Sequence, residues 1–353
     1  MTTLPRYDAE ELTRFSEQLL MLAGLDRAMA EAVAQTLVEG DLLGHDTHGL
    51  ALLAPYVKEL EQGTMRAAGT PTVLSDRGAA LAWDGERLPG PWLVLQGIET
   101  LIPRARQYGS ASLAIRRSHH IACLATYLLR ATEAGFMMLL SSSDPAVRSV
   151  APFGGTRAVF TPNPIAAGIP TSGTPFLIDI SASITTNGMS NRLHKAGQQF
   201  AEECLLDGHG RPSRDPAVFT QDPPGTIMPL GGVAAGHKGF GLALLIEALT
   251  GGLAGHGRAD PPDGWGATVF MSLYDPSAFG GEAPFLRQMD WIADACRSNP
   301  PAPGVGQVRM PGDRGMAQRA QQKKEGVALH PTIAPMLQEA GRKYRLDFPS
   351  TRQ

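Results

Sequence analysis

From residue 79 to 143 the chain alternates short apolar runs of strand character with segments of helical spacing, and this alternation constrains the fold more than any other feature. "AALAWDG" reads as a strand and "WLVLQGIETLIPRARQYG" as a helix whose last turns Pro103 weakens. "SASLAIRR" reads as a strand, a helix follows from about residue 121 to 134, and "FMMLLSSS" is a further strand. Such alternation indicates an α/β core. "FLIDIS" and "ATVFMSLYD" add short strands, and the unusually apolar "FGLALLIEALTGGL" between them is expected to be a buried helix.

Before residue 65 the pattern is helical throughout. Asp8 and Glu11 stand at capping-box spacing ahead of Leu12, Phe15, Leu19 and Leu20, which predicts a first helix ending near Gly24. A second begins around Asp26, and a third covers Leu50 to Gln62, kinked or delayed by Pro55. The tail from Pro300 holds the loop "PAPGVGQVRMPGDRG" and one or two amphipathic helices. The expected organisation is a helical segment, 1–75, packed with C-terminal helices in 305–353, around an α/β core in 76–304.

Several function classes drop out on composition. A net charge of -3, from 31 basic and 34 acidic residues, leaves no electrostatic footprint for nucleic acid or an anionic membrane. Every apolar run reads as too short to span a bilayer, and "MTTLPRYDAEEL" lacks the marks of a signal peptide. Cys123, Cys204 and Cys296 are too few and too scattered for a disulfide framework, which favours a reducing compartment. A cytoplasmic protein with a small-molecule partner is expected.

Four places could carry chemistry. "GHDTHGL" sets His45, Asp46 and His48 within four positions, where a metal set, a proton-transfer pair and a buried helix end look alike. "RRSHHIA" puts His119 and His120 between a strand and a helix, where α/β proteins bind ligands. In "PLGGVAAGHKGFGLAL", glycines surround His237 and Lys238 at the start of a helix, which suits an anion. It is a near miss for a phosphate loop, since His237 precedes Lys238 and Gly239 replaces the magnesium-binding hydroxyl. Asp179 lies inside an apolar strand, so its carboxylate needs a cation, backbone amides or a ribose hydroxyl. A metal reading of the histidines is possible, but neither HExxH nor a paired cysteine set occurs, and no metal is expected.

Three segments go further than composition. "LLGHDTHGLALLAPYVKELEQG", "RSHHIACLATYLLRATEAGF" and "SVAPFGGTRAVFTPNPIAAGIP…FLIDISAS" followed by "GHKGFGLAL" resemble the malate/L-lactate dehydrogenase family, the L-sulfolactate dehydrogenase-like NAD(P)-dependent oxidoreductases. The order of these motifs, from roughly residue 8 to 345, makes the likeness specific. Ureidoglycolate dehydrogenases, hydroxycarboxylate dehydrogenases and piperideine-2-carboxylate reductases are the branches it most resembles. The resemblance implies an α/β fold with a non-Rossmann mixed sheet, a helical N-terminal segment, a homodimer, and hydride transfer between NAD or NADP and a 2-oxo or 2-hydroxy acid or a cyclic imine. It also implies roles: His48 and His120 as proton-transfer residues with Thr47 in support; Ser143, Asp179, Ile180, Ser181, His237, Lys238, Pro311, Gly312 and Asp313 at the cofactor; and Tyr56 beside the substrate. Imidazole titrates near neutrality and suits that proton step.

The chain also departs from the family pattern. Leu52 stands where an arginine commonly clamps the substrate carboxylate, TPNP at 161–164 replaces GTNP so that Pro162 removes a backbone donor, and Met189 follows Gly188 where a lysine is frequent. Leu52 and Met189 are therefore expected to widen an apolar pocket, with Arg192 or Arg148 meeting the carboxylate. The other readings are a family member that binds nucleotide or ligand without this turnover, and a His/Asp metal hydrolase.

Overall fold

The computed structural model describes residues 4–262 and 264–352. A short β1 (Arg6–Tyr7) precedes α1 (Ala9–Leu22), whose first amides, those of Glu10 and Glu11, donate to Asp8 Oδ1 at 2.9 and 3.1 Å. Asp26 caps α2 (Arg27–Leu42) through the Ala28 amide. The third helix starts as a 3-10 turn over Leu50–Leu52 and becomes α3 (Leu53–Glu61), so Pro55 falls in its first turn, where a missing N–H breaks no bond.

Next come β2 (Thr72–Asp76), β3 (Ala80–Asp84), α4 (Gly90–Tyr108), β4 (Ser110–Ser118), α5 (Ala125–Glu133) and β5 (Met137–Ser143). α4 continues through Pro103 instead of ending there. α5 starts later than the sequence suggests, because residues 121–124 form a loop with Ala122 at φ 57. β6 (Pro164–Ile169), β7 (Phe176–Ser181) and α6 (Asn187–Lys195) follow, then a small sheet of β8 (Leu205–Leu206), β9 (Pro212–Ser213) and β10 (Thr226–Ile227). The chain ends with α7 (Gly232–Glu247), β11 (Ala267–Tyr274), α8 (Glu282–Arg297), α9 (Asp313–Glu325), β12 (Val327–Ala328) paired to β1, and α10 (Ile333–Lys343).

The main sheet has seven strands in the order β2-β3-β4-β11-β5-β6-β7. Only β3 and β4 pair in parallel; every other neighbouring pair in it is antiparallel, so the sheet is mixed and not doubly wound. Alternation decides its two faces. Leu113 and Ile115 of β4 and Val269, Met271 and Leu273 of β11 enter the large core with α4 and α5. Ala114 and Phe270 point the other way, onto Leu249 and Ala254. The large core also takes Leu12, Leu37 and Tyr56 from the N-terminal helices and Leu337 from α10.

α7 departs from expectation. It is buried on one face only: Ala243 and Ile246 enter a core, but Val233, Leu244 and Leu245 are 61%, 50% and 52% exposed, and Leu253 just beyond is 60% exposed. Helical bonding also runs on through a π turn at Ala248–Gly252, past the residues that interrupt the apolar run in the sequence. The continuous helix Gly232–Gly252 is thus long and apolar enough to cross a membrane, correcting the reading that every such run is too short.

Candidate active site

The loop joining α2 to α3 is held from below by Asp41, which is buried. Asp41 Oδ2 accepts the Leu50 amide at 2.6 Å, and a Cβ on Gly49 would sit 2.4 Å from that oxygen. Only glycine lets the chain pass so close. Burial pushes the Asp41 carboxyl up to about 8 against the opposing effect of the Leu50 bond.

This loop presents His48, whose Nδ1 shares a 2.9 Å hydrogen bond with Thr47 Oγ1. Burial, and then the neighbouring His45, push its pKa down to about 4, so the ring is neutral at physiological pH. Among the described residues Nε2 has no partner, which leaves it available to a substrate.

The second pair divides. His119 is fully buried, with its Nε2 3.4 Å from Glu59 Oε2 and its ring edge-on to Tyr56 and Trp265. It is a structural residue. His120 lines the cleft, its ring 4.8 Å from that of Trp265 and 6.1 Å from that of His48, the two imidazole planes 27° apart. Tyr56 Oη lies 2.8 Å from His120 Nδ1 and the Ala122 amide donates to the same nitrogen at 3.3 Å, so Nδ1 is an acceptor and the proton sits on Nε2. Burial holds the His120 pKa well below its ordinary value.

The cleft has a volume of about 720 Å³, within the range of roughly 300–1,000 Å³ typical of small-molecule sites. Ser143, Asp179, Ile180 and Ser181 line it, as do Thr47, Leu52 and Met189. Asp179 Oδ2 accepts the Ala125 amide at 2.9 Å, so the carboxylate caps the start of α5: of the alternatives open in the sequence, backbone amide is the one observed. Burial raises its pKa while His45 opposes that rise.

The remaining expected residues lie elsewhere. Tyr56 is buried behind His120 and does not line the cleft. Arg148 is exposed and also outside the lining. Arg192 Nη1 contacts both oxygens of Asp46 at 3.0 and 2.9 Å, at the rim. His237 and Lys238 are solvent-exposed on the first turns of α7, beyond a kink at Ala235; a Cβ on Gly232 would approach Ile184, which lines the cleft, to 3.5 Å. The Pro311 carbonyl accepts the Leu177 amide and a Cβ on Gly312 would meet Leu177 at 3.0 Å, which sets both against β7; Asp313 pairs with Arg297. None of these three lines the cleft.

The sequence also concealed a polar network beneath the cleft. Glu247 Oε1 accepts from Ser143 Oγ, Asn163 Nδ2 and Arg258 Nε, each at 2.8 Å. Arg258 also donates to the Val147 carbonyl and to Ser143 Oγ. The partners lie up to 115 positions apart, and no local spacing signals them.

The malate/L-lactate dehydrogenase model matches residues 7–338. The chain belongs to the malate/L-lactate dehydrogenase family. It is 31% identical over 330 residues to the L-lactate dehydrogenase of Cupriavidus necator, covering 91% of this chain and 93% of that one. It is 28% identical over 348 residues to the delta(1)-pyrroline-2-carboxylate reductase of Ancylobacter novellus, covering 95% and 97%. The fold superposes on malate dehydrogenase from Entamoeba histolytica with a TM-score of 0.92 at 22% identity, covering 98% of this chain and 100% of that one. Like the family, this protein is an NAD(P)-dependent oxidoreductase.

The lining suits such a cofactor in part. Ser143, Ser181 and Asp179 offer the hydroxyl and carboxylate partners that ribose and amide groups need. No lysine or arginine among the described residues lines the cleft, so the diphosphate charge has to be met at its edge.

Proposed function

We propose that the chain transfers hydride between NAD or NADP and a 2-oxo or 2-hydroxy carboxylic acid, or a related cyclic imine, with His48 moving the proton. The observation carrying this is the His48 and His120 pair, with ring centroids 6.1 Å apart, on one cleft that Asp179 and Ser143 also line. When bound, the nicotinamide supplies the hydride donor or acceptor. Neutral His48, positioned by Thr47, takes the hydroxyl proton in the oxidation direction and returns it to oxygen or nitrogen in reduction. His120, with its proton on Nε2, donates a hydrogen bond to the developing oxyanion. Trp265 packs at a tilt against His120 and shields the pair from water.

On this reading Ser143, Asp179, Ile180 and Ser181 hold the nicotinamide half. The amides and Lys238 at the start of α7, beside Ile184, take the diphosphate, with His237 alongside. Pro311, Gly312 and Asp313 support β7 from behind. Arg192 holds the substrate carboxylate, since Asp46 engages only its Nη1; Arg148 is too exposed for that task. Leu52 and Met189 then face the apolar part of a bulky substrate. Names of relatives support both substrate classes, a hydroxy acid and a cyclic imine.

The chain acts as a homodimer on this proposal, with the exposed Leu244 and Leu245 covered by a second copy, and in the cytoplasm, as three free cysteines support. The test uses Trp265, the tryptophan in the cleft. NADH or NADPH is expected to quench tryptophan fluorescence, and turnover on pyruvate, phenylpyruvate or piperideine-2-carboxylate is expected to survive chelator. Quenching without turnover on any oxo acid or imine points to a binding protein, and hydrolysis abolished by chelator to a metal hydrolase.

A further inference from the structure

His45, Cys123 and Asp179 come from three separate segments, the loop after α2, the loop before α5 and the end of β7, and meet in the wall of the cleft. One potential ligand atom from each lies within 4.8 Å of the others. Cys123 Sγ is 3.7 Å from Asp179 Oδ2, close to the roughly 3.5 Å between neighbouring ligand atoms in a tetrahedral zinc site. We propose that these three residues form a binding site for a borderline-soft divalent cation, zinc above all.

Four features support it. Imidazole, thiolate and carboxylate together select zinc, cobalt(II) or cadmium over magnesium or calcium, which prefer all-oxygen shells. The Ala125 amide fixes the Asp179 carboxylate from outside the ligand set, the kind of outer-shell hold that metal sites use. Among the described residues the His45 ring makes no hydrogen bond, and Cys123 Sγ donates to Asp179 while accepting from the Ala125 and Thr126 amides, bonds that favour a thiolate and that a metal-bound sulfur keeps. All three line the cleft, which leaves the fourth position open to water or a ligand. Closing the set takes a shift of about 1 Å, which the loop carrying His45 can supply; Cys123 is buried and stays in place.

Binding exchanges a proton for the metal: the Cys123 S–H bond breaks, the sulfur–zinc bond forms, the proton leaves to solvent, and no electrons change hands. Because Asp179 is shared, the cation and the dinucleotide exclude each other, and the metal inhibits. That exclusion rests on the oxidoreductase reading; the site itself does not.

The experiment is a cobalt(II) titration of the full-length Cys296→Ser chain, a background free of the half-exposed thiol, with sulfur-to-cobalt charge-transfer absorption as the readout. One equivalent is expected to give that band with tetrahedral d–d transitions. Adding Cys123→Ser is expected to abolish the band, and His45→Ala to weaken binding by more than about a hundredfold, beyond the roughly 10–100-fold that loss of an outer-shell partner costs. Circular dichroism checks that both variants fold. A cobalt spectrum without the charge-transfer band, or one unchanged by Cys123→Ser, overturns the proposal. Saturating NADH is expected to raise the cobalt midpoint at least tenfold; an unchanged midpoint leaves the metal site standing and removes Asp179 from the cofactor contacts.

Discussion

His48 shows how far a pKa set by burial governs chemistry at a single residue. An ordinary histidine titrates near 6.5, whereas here desolvation holds the ring neutral down to about 4. Since kcat/KM in the oxidation direction needs the neutral base, it is expected to stay level from pH 8 to pH 6 and to fall only toward pH 4. A pH profile of kcat/KM checks this, and an inflection at 6.5 or above would contradict it. The family resemblance singled out His48 and His120, whereas residue spacing alone could not separate His120 from His119, because adjacent histidines in a loop carry no periodicity. The backbone makes the choice: Arg117 at φ 50 and Ala122 at φ 57 turn the chain so that one ring enters the core and the next enters the cleft. Glu247, Arg258 and Asn163 were illegible for a different reason, since Glu247 and Arg258 reach Ser143, and Asn163 reaches Glu247, across the fold.

Among elements, helices with caps and amphipathic spacing were legible and small or polar ones were not. α1 and α2 begin where Asp8 and Asp26 say they should. β6, "PIAAGI", is built of small residues without alternation, and α6, "NGMSNRLHK", has almost no apolar stripe, so neither stood out. The loop between α2 and α3 depends on Asp41, which stays protonated in the fold up to about pH 8 yet ionises near 3.8 when unfolded. The folded state therefore binds the extra proton, and Asp41 lowers stability progressively as pH rises from about 4 to about 8. Asp41→Asn keeps an acceptor for the Leu50 amide and removes that dependence. Chemical denaturation at pH 5 and pH 8.5 is expected to show the variant gaining on the parent by a few kcal/mol at the higher pH, at about 1.4 kcal/mol per pKa unit as an upper limit. The buried histidines, whose charging destabilises the fold below about 6.5, act equally in both proteins and cancel. Parallel pH dependences would show that Asp41 is ionised in the fold.

Across the whole molecule the alternation of strand and helix revealed an α/β core, but not that β11, late in the chain, would insert between β4 and β5. Strand order depends on long-range pairing that local patterning does not encode. The exposed side of α7 is likewise a property of the complete fold: its letters read as core, and the folded chain leaves Leu244 and Leu245 uncovered. If a second copy covers them, Leu244→Glu with Leu245→Glu is expected to shift the mass by analytical ultracentrifugation from dimer to monomer, and an unchanged mass would place the interface elsewhere. The central claim remains that one cleft brings a neutral imidazole to a bound nicotinamide. Its most direct test is single-turnover oxidation of bound NADH by a 2-oxo acid in His48→Ala, alongside NADH affinity measured by Trp265 quenching. The expected result is a rate lowered by about 10²–10⁴ with affinity within about threefold of the parent; an unchanged rate, or loss of NADH binding in step with the rate, would contradict it.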